Sequence, residues 1–172
     1  DCGTTSNNVF KDFKSDMIDV IVVDHHQQSD SLPDVLAVIN PNKKIDNSNL
    51  KNLSAVGVTF LLVVSINREL KKIKYFQNKS PDLIKYLDLV SLGTICDLVK
   101  LDDLNRAFVK QCLRVINNFS NKGINSLITE SMINEKISEY HLGFVLGPRI
   151  NAGGRVGNPA LGVELLISEN KN

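Results

Sequence analysis

The sequence has no tryptophan, only three cysteines and only three histidines, and its formal charges nearly cancel at +1. Each shortage excludes something. Cys2, Cys96 and Cys112 are odd in number and show no Cys-x-x-Cys spacing, which argues against a disulfide framework and for reduced intracellular thiols. Cys96 and Cys112 are expected to be small core residues. A net charge this close to zero gives no global pull toward nucleic acid, so any contact with a polyanion must be local. The longest apolar stretch, Val56 to Ile66, is interrupted by Gly57, Thr59 and Ser65 and is too short to cross a bilayer. No basic segment followed by an apolar one opens the chain, so nothing argues for secretion; the expected compartment is the cytoplasm, with no membrane partner.

What is present fits a globular α/β protein. At 172 residues, 42% of them hydrophobic and 23% charged, the chain can bury one core and is marginal for two. It opens at Asp1-Cys2-Gly3 without a methionine. It therefore reads as a piece of a longer protein, truncated at both ends, beginning where a strand has just finished.

Apolar patterning predicts alternating strands and helices. Met17 to Val23 is β-branched and apolar on both faces, as in a buried parallel strand. Leu36 to Ile39 is a second short strand, closed by Asn40-Pro41. The Asn-rich stretch from Asp46 to Asn52 is a loop. Ser54 then caps a helix to about Leu70, apolar on most faces as if packed on a sheet. Ser80-Pro81-Asp82 starts a helix that Gly93 would stop, with Asp97 just beyond. Asp102 or Asp103 caps the next, with Phe108, Val109, Cys112, Leu113 and Ile116 on one face. A turn is expected from Asn117 to Gly123, then a short helix from Ser138 that breaks at Gly147-Pro148. From there to Pro159 the composition predicts a glycine-rich loop carrying Arg149, Asn151 and Arg155. Pro159 opens a final helix, cut short by the end of the chain.

Three pieces stand out for chemistry. Asp24-His25-His26 sits at the end of the first strand, and open parallel sheets gather ligands at their C-terminal edge. Successive strand residues point to opposite sides, so burying both imidazoles would need two partners. Asp1 and Asp97 are the other acids; alone they would read as an ordinary terminal residue and a helix cap. Carboxylates with one imidazole per ion suit Mn²⁺ or Mg²⁺ better than a structural zinc. Two such ions a few ångströms apart would activate water and stabilise the leaving oxygen of a phosphoester. In the loop, glycines would let amides approach an anion, and Arg149 or Arg155 could pair with a phosphate. A flexible linker with incidental charge is the competing reading.

Taken together, Asp1-Cys2-Gly3 and Asp24-His25-His26 resemble the DHH phosphoesterase superfamily. Ser91 to Val99 followed by Asn105-Arg106, and Leu146 to Arg155, are similar to the RecJ-type single-strand-specific DNA exonucleases. The likeness covers almost the whole chain, with its motifs in the family's order. Lys100 stands where that family usually has proline, and Gly153 where alanine is common. The family's Asp-rich first motif, its C-terminal substrate-binding domain and its OB-type domain are absent from this sequence.

The resemblance implies a parallel-sheet α/β catalytic domain over residues 1–146, flanked by helices, and an interdomain segment over 147–172. It implies that Asp1, His25 and Asp97 bind two Mn²⁺ or Mg²⁺ ions. Asp24 would orient an imidazole, His26 would face the scissile phosphate, and Arg149, Asn151 and Arg155 would contact DNA. The expected activity is hydrolysis of single-stranded DNA from the 5′ end in repair and recombination, with a helicase and a single-strand-binding protein as candidate partners. The fragment by itself is expected to be inactive. Two other readings stand beside this one: a DHH hydrolase of oligoribonucleotides, cyclic dinucleotides or pyrophosphate, and a scaffold that keeps the fold without catalysis.

Overall fold

The computed structural model describes residues 3–10, 13, 18–118 and 121–169. Among them, two short strands, β1 (Ile21–Val23) and β2 (Ala37–Ile39), pair in parallel with Val22 opposite Val38. The Asp24 amide carries the ladder one step further by donating to the Ile39 carbonyl at 3.0 Å. Because the strands are parallel, their C-terminal ends share one edge, and Asp24 and Asn40 emerge side by side. The first strand is shorter than expected: residues 18–20 lie outside it, although the Ala37 amide donates to the Val20 carbonyl at 3.4 Å, and Met17 lies outside the described residues. Nor is it buried on both faces. Val22 is buried, while Ile21 is 55% exposed.

The predicted helix from Ser54 forms as α1 (Ala55–Lys72), with the Ser54 side chain accepting from the Gly57 amide. The expectation that it packs on most faces fails: only Gly57 and Val58 are buried, and Val63, Val64 and Ile66 are exposed. The reason is size. A helix of 18 residues is about 27 Å long, whereas the two described strands, about 4.8 Å apart, cover only a fraction of it.

A 3₁₀ turn (Ile84–Tyr86) leads into α2 (Leu87–Cys96), which runs past Gly93 and ends at Asp97. Next comes α3 (Asp103–Ile116), whose Phe108, Val109, Cys112 and Ile116 are buried as predicted. Cys112 is a core residue, but Cys96 is exposed. Where a turn was expected up to Gly123, α4 (Lys122–Glu130) begins, with Asn121 as its cap. One turn of π-helix (His141–Leu146) passes without a break into α5 (Gly147–Val156), so the expected loop is helical. Pro148 falls beside the change from π to α hydrogen bonding, an irregularity of the kind that accompanies a missing N–H within a helix. The last helix, α6 (Leu161–Ile167), ends before the chain does.

The chain divides into two compact units, residues 1–80 with 99–105, and residues 81–98 with 106–172. The second is built on an apolar cluster of Leu92, Ile116, Ile124, Ile128, Ile137, Leu142 and Leu146. In the first, Val22, Leu53 and Val58 share the interior with Thr4, Asp24, Asn40, Asn42, Ser54 and Asn105. This is a mixed α/β architecture with a small parallel sheet. No described helix is long and apolar enough to cross a membrane.

Candidate active site

Asp24 leaves β1 at the sheet edge and is almost wholly buried. A carboxylate there must find donors, since burying it unpaired would cost several kcal/mol. Thr4, His25 and His26 supply them. Oδ1 accepts from the His25 amide at 2.8 Å, the His26 amide at 3.2 Å and the His26 ring Nδ1 at 2.8 Å. Oδ2 accepts from the Thr4 amide at 2.9 Å. Burial alone would raise the acid's pKa, but the hydrogen bonds from Thr4 and His26 outweigh it and hold the carboxyl well below the usual range. Asp24 is therefore ionised, and its oxygens are committed to orienting neighbours.

Thr4 reaches this acid because of the glycine before it. Gly3 has φ +115°, and a Cβ there would meet the Val22 side chain at 3.1 Å. Only glycine accommodates both conditions without strain.

Asn40 and Asn42, which follow β2, complete the network. Asn40 Nδ2 donates to Thr4 Oγ1 at 2.8 Å and to the His26 carbonyl at 2.9 Å, while its Oδ1 accepts from the Asn42 amide at 2.7 Å. Asn42 Nδ2 donates to the carbonyls of His25 (2.6 Å) and Lys51 (3.0 Å), and its Oδ1 accepts from Gln27 at 3.1 Å. Every polar side-chain atom of both asparagines is engaged. Sequence reasoning did not single them out. The signal was available in the parallel pairing, which delivers whatever follows β2 to the same edge as Asp24.

The two imidazoles do not diverge as strand alternation suggested. The strand ends at Val23, the chain bends, and the rings of His25 and His26 meet edge to face with centroids 4.7 Å apart. Their tautomers follow from their partners. His25 Nδ1 lies 3.0 Å from the Leu53 carbonyl; a carbonyl only accepts, so Nδ1 carries the proton and the lone pair sits on Nε2. His26 Nδ1 donates to the ionised Asp24, so in the neutral ring its lone pair is likewise on Nε2. His25 is half-buried and His26 exposed.

Asp97 belongs to the second unit, at the C-terminal end of α2, where its amide donates to the Gly93 carbonyl at 3.0 Å and the Leu98 amide donates to the Ile95 carbonyl at 3.2 Å. An acid at that end faces the negative pole of the helix, which costs about 0.3–1 kcal/mol and is relieved by a cation. Leu98 follows with φ 55° and is exposed, a conformation that usually belongs to glycine at a helix stop. Asp1 lies outside the described residues. Among those that are described, no three imidazole, thiol or carboxylate groups gather as an ion cluster. Taken each by itself, His25, half-buried with its lone pair on Nε2, and Asp97, an acid at a helix C-terminus, are donor types that suit a hard divalent ion.

Arg149, Asn151 and Arg155 all sit on α5 and are exposed. Helical geometry groups Asn151 with Arg155, four apart, and turns Arg149 to another side. Arg149 donates to the Val145 carbonyl at 2.8 Å. The third histidine, His141, has a local role: its Nδ1 accepts from the Ser138 amide at 3.1 Å and its Nε2 faces Glu135 at 3.3 Å.

A family profile described as "DHH family, N-terminal domain" matches residues 1–94. The chain belongs to the DHH family. This DHH chain is 38% identical to the single-stranded-DNA-specific exonuclease RecJ of Escherichia coli, over 99% of its own length and 30% of that protein. With the Bacillus subtilis protein of the same name it shares 38% identity over 88% of this chain and 18% of that one. Among solved structures, RecJ in complex with Mn²⁺ from Thermus thermophilus superposes with a TM-score of 0.83 at 30% identity, over 99% of this chain and 24% of that one. Exonuclease RecJ bound to manganese gives 0.82 at 29%, over 99% and 41%. The DHH chain thus spans less than a third of the curated relatives named here.

Proposed function

We propose that this chain is part of a two-metal phosphodiesterase of RecJ type, which removes nucleotides from the 5′ end of single-stranded DNA. The observation that carries the reading is the complete commitment of Asp24. An acid that spends both oxygens on Thr4 and on the two residues after it is a device for orienting imidazoles, and both rings are left with their lone pair on Nε2.

His25, Asp97 and Asp1 would hold the ions, Mn²⁺ as in the solved relatives or Mg²⁺. Bound ions would supply positive charge to activate water and to neutralise the phosphate in the transition state. Asp24 holds His26 so that the Nε2 of this exposed ring addresses the scissile phosphate. Arg155 and Asn151, adjacent on α5, contact the DNA backbone, and Arg149 contacts it from the neighbouring side. The work of such an enzyme belongs to repair and recombination in the cytoplasm, alongside a helicase and a single-strand-binding protein.

The test uses the full-length protein. Asp97→Ala should lower release of nucleotides from a labelled single-stranded DNA by at least a hundredfold while leaving the melting temperature within a few degrees. Undiminished activity in that variant removes the metal role of Asp97. Faster turnover of a dinucleotide than of the DNA would instead favour the small-substrate hydrolases. No manganese binding by calorimetry would favour a scaffold.

A further inference from the structure

Three consecutive carbonyls in the loop before α1 are each held by a side chain from elsewhere in the first unit. Asn42 donates to Lys51, Asn105 donates to Asn52 at 2.6 Å, and the His25 ring meets Leu53. Asn105 is buried, 2% exposed, and its Nδ2 also donates to the Lys100 carbonyl at 2.9 Å. Both neighbours of that nitrogen are carbonyls, which only accept, so the orientation of the amide is fixed. Its Oδ1 finds no partner.

We infer that Asn105 is a positioning residue for the His25 ring. The Asn52 carbonyl and the Leu53 amide form one planar peptide group. Asn105 grips one end of it, and the Leu53 amide, donating to the Leu50 carbonyl at 3.0 Å, fixes the other. The Leu53 side chain is buried beneath. The next group along the chain is the Leu53 carbonyl, which sets the tautomer and tilt of His25. Releasing Asn52 lets the peptide plane turn, and the support of the ring turns with it. Asn105 therefore acts on the proposed metal ligand through two residues and touches neither ion nor substrate. The inference rests on the reading of His25 as a ligand.

The experiment is manganese titration of the full-length protein by calorimetry, with His25→Ala, Asn105→Ala and the core variant Ile128→Ala in parallel. Removing outer partners of a ligating histidine typically costs metal affinity about tenfold or more. Asn105→Ala should weaken manganese binding by about tenfold, with Ile128→Ala, which destabilises a core apart from this loop, close to wild type. In the metal-free protein, the Nδ1–H resonance of His25 should be visible by NMR in wild type and lost to solvent exchange in Asn105→Ala. Wild-type affinity in Asn105→Ala, beside loss in His25→Ala, overturns the inference and leaves the ligand reading intact. Wild-type affinity in His25→Ala overturns both. Should Asn105→Ala fail to fold, Asn105→Ser keeps one donor and must show the same weakening in smaller measure; unchanged affinity there also overturns the inference.

Discussion

Asp24 is the residue on which the site depends most, because donors from Thr4, His25 and His26 converge on two oxygens in a place water does not reach. Asp24→Asn keeps the shape and replaces one oxygen with an NH₂ group. Whichever way the amide turns, a donor then faces a donor, at Thr4 or at His25 and His26. The expected loss is about 2–3 kcal/mol of stability, read as a lower urea midpoint with an unchanged slope. A midpoint equal to wild type would mean the network adds nothing. Cys112 gives the second residue-scale prediction. Burial pushes its thiol up to about 12, with smaller downward effects from Ser91 and an upward one from Asp88, against roughly 8.5 in an unfolded chain. Below the unfolded value both states hold the proton, and the contribution to stability is intact. As the pH rises from about 9 toward 12 only the unfolded chain releases it, so stability falls. Cys112→Ala should lose less stability than wild type between pH 8 and pH 10.5 in urea titrations. Equal losses in the two proteins would show that this thiol is not the alkaline liability.

At the scale of elements, the sequence was legible wherever a local signal and the packing agreed. Ser54 begins α1, Val22 lies in a parallel strand, and one stripe of α3 is buried, all because capping, β-branching and helical spacing act over a few residues. The triplet Asp24-His25-His26 was legible for the same reason, being an abrupt change at a strand end. Where glycine or proline signalled a break, tertiary contacts overruled it. Gly93 and Gly147 lie inside helices, and Arg149, Asn151 and Arg155 moved with α5 from an expected loop to a helix face. The pairing of Asn105 with Asn52 could not be read at all, because nothing local connects positions so far apart in the chain. Gly123 shows what overrules a turn signal. A Cβ at that position would lie 1.8 Å from the Leu165 carbonyl oxygen, so the glycine in α4 is there for the close approach of α6. Gly123→Ala ought to raise local helix propensity by about 1 kcal/mol, yet backbone overlap of this size cannot be relieved by a rotamer change. A net loss of about 2–3 kcal/mol is expected, measured by thermal unfolding. A gain in melting temperature would show that α6 is free to move aside.

At the scale of the whole molecule, the two compact units hold themselves together by different means. Residues 81–98 and 106–172 bury a contiguous apolar cluster, whose stability comes from area removed from water. Among the described residues of 1–80 and 99–105, buried polar side chains outnumber buried apolar ones, and each internal hydrogen bond there replaces one to water for a net gain of only about 1 kcal/mol. Local opening should therefore be cheaper around β1 and β2 than around α4 and the π turn. In hydrogen exchange on the intact protein, the amides of Val23, Asp24 and Ile39 should exchange faster than those of Ile128, Leu142 and Leu146. Manganese provides the second arm. A ligand that binds only the folded arrangement stabilises it in proportion to the logarithm of its concentration over its dissociation constant, so the ion should slow exchange at Asp24, His25 and the Asn40–Asn42 segment. The amides of Ile128 and Leu142 should change less. If manganese binds yet leaves the segment from Asp24 to Asn42 exchanging at its metal-free rate, the ion is not held by His25, and the polar interior of this unit must be explained without it.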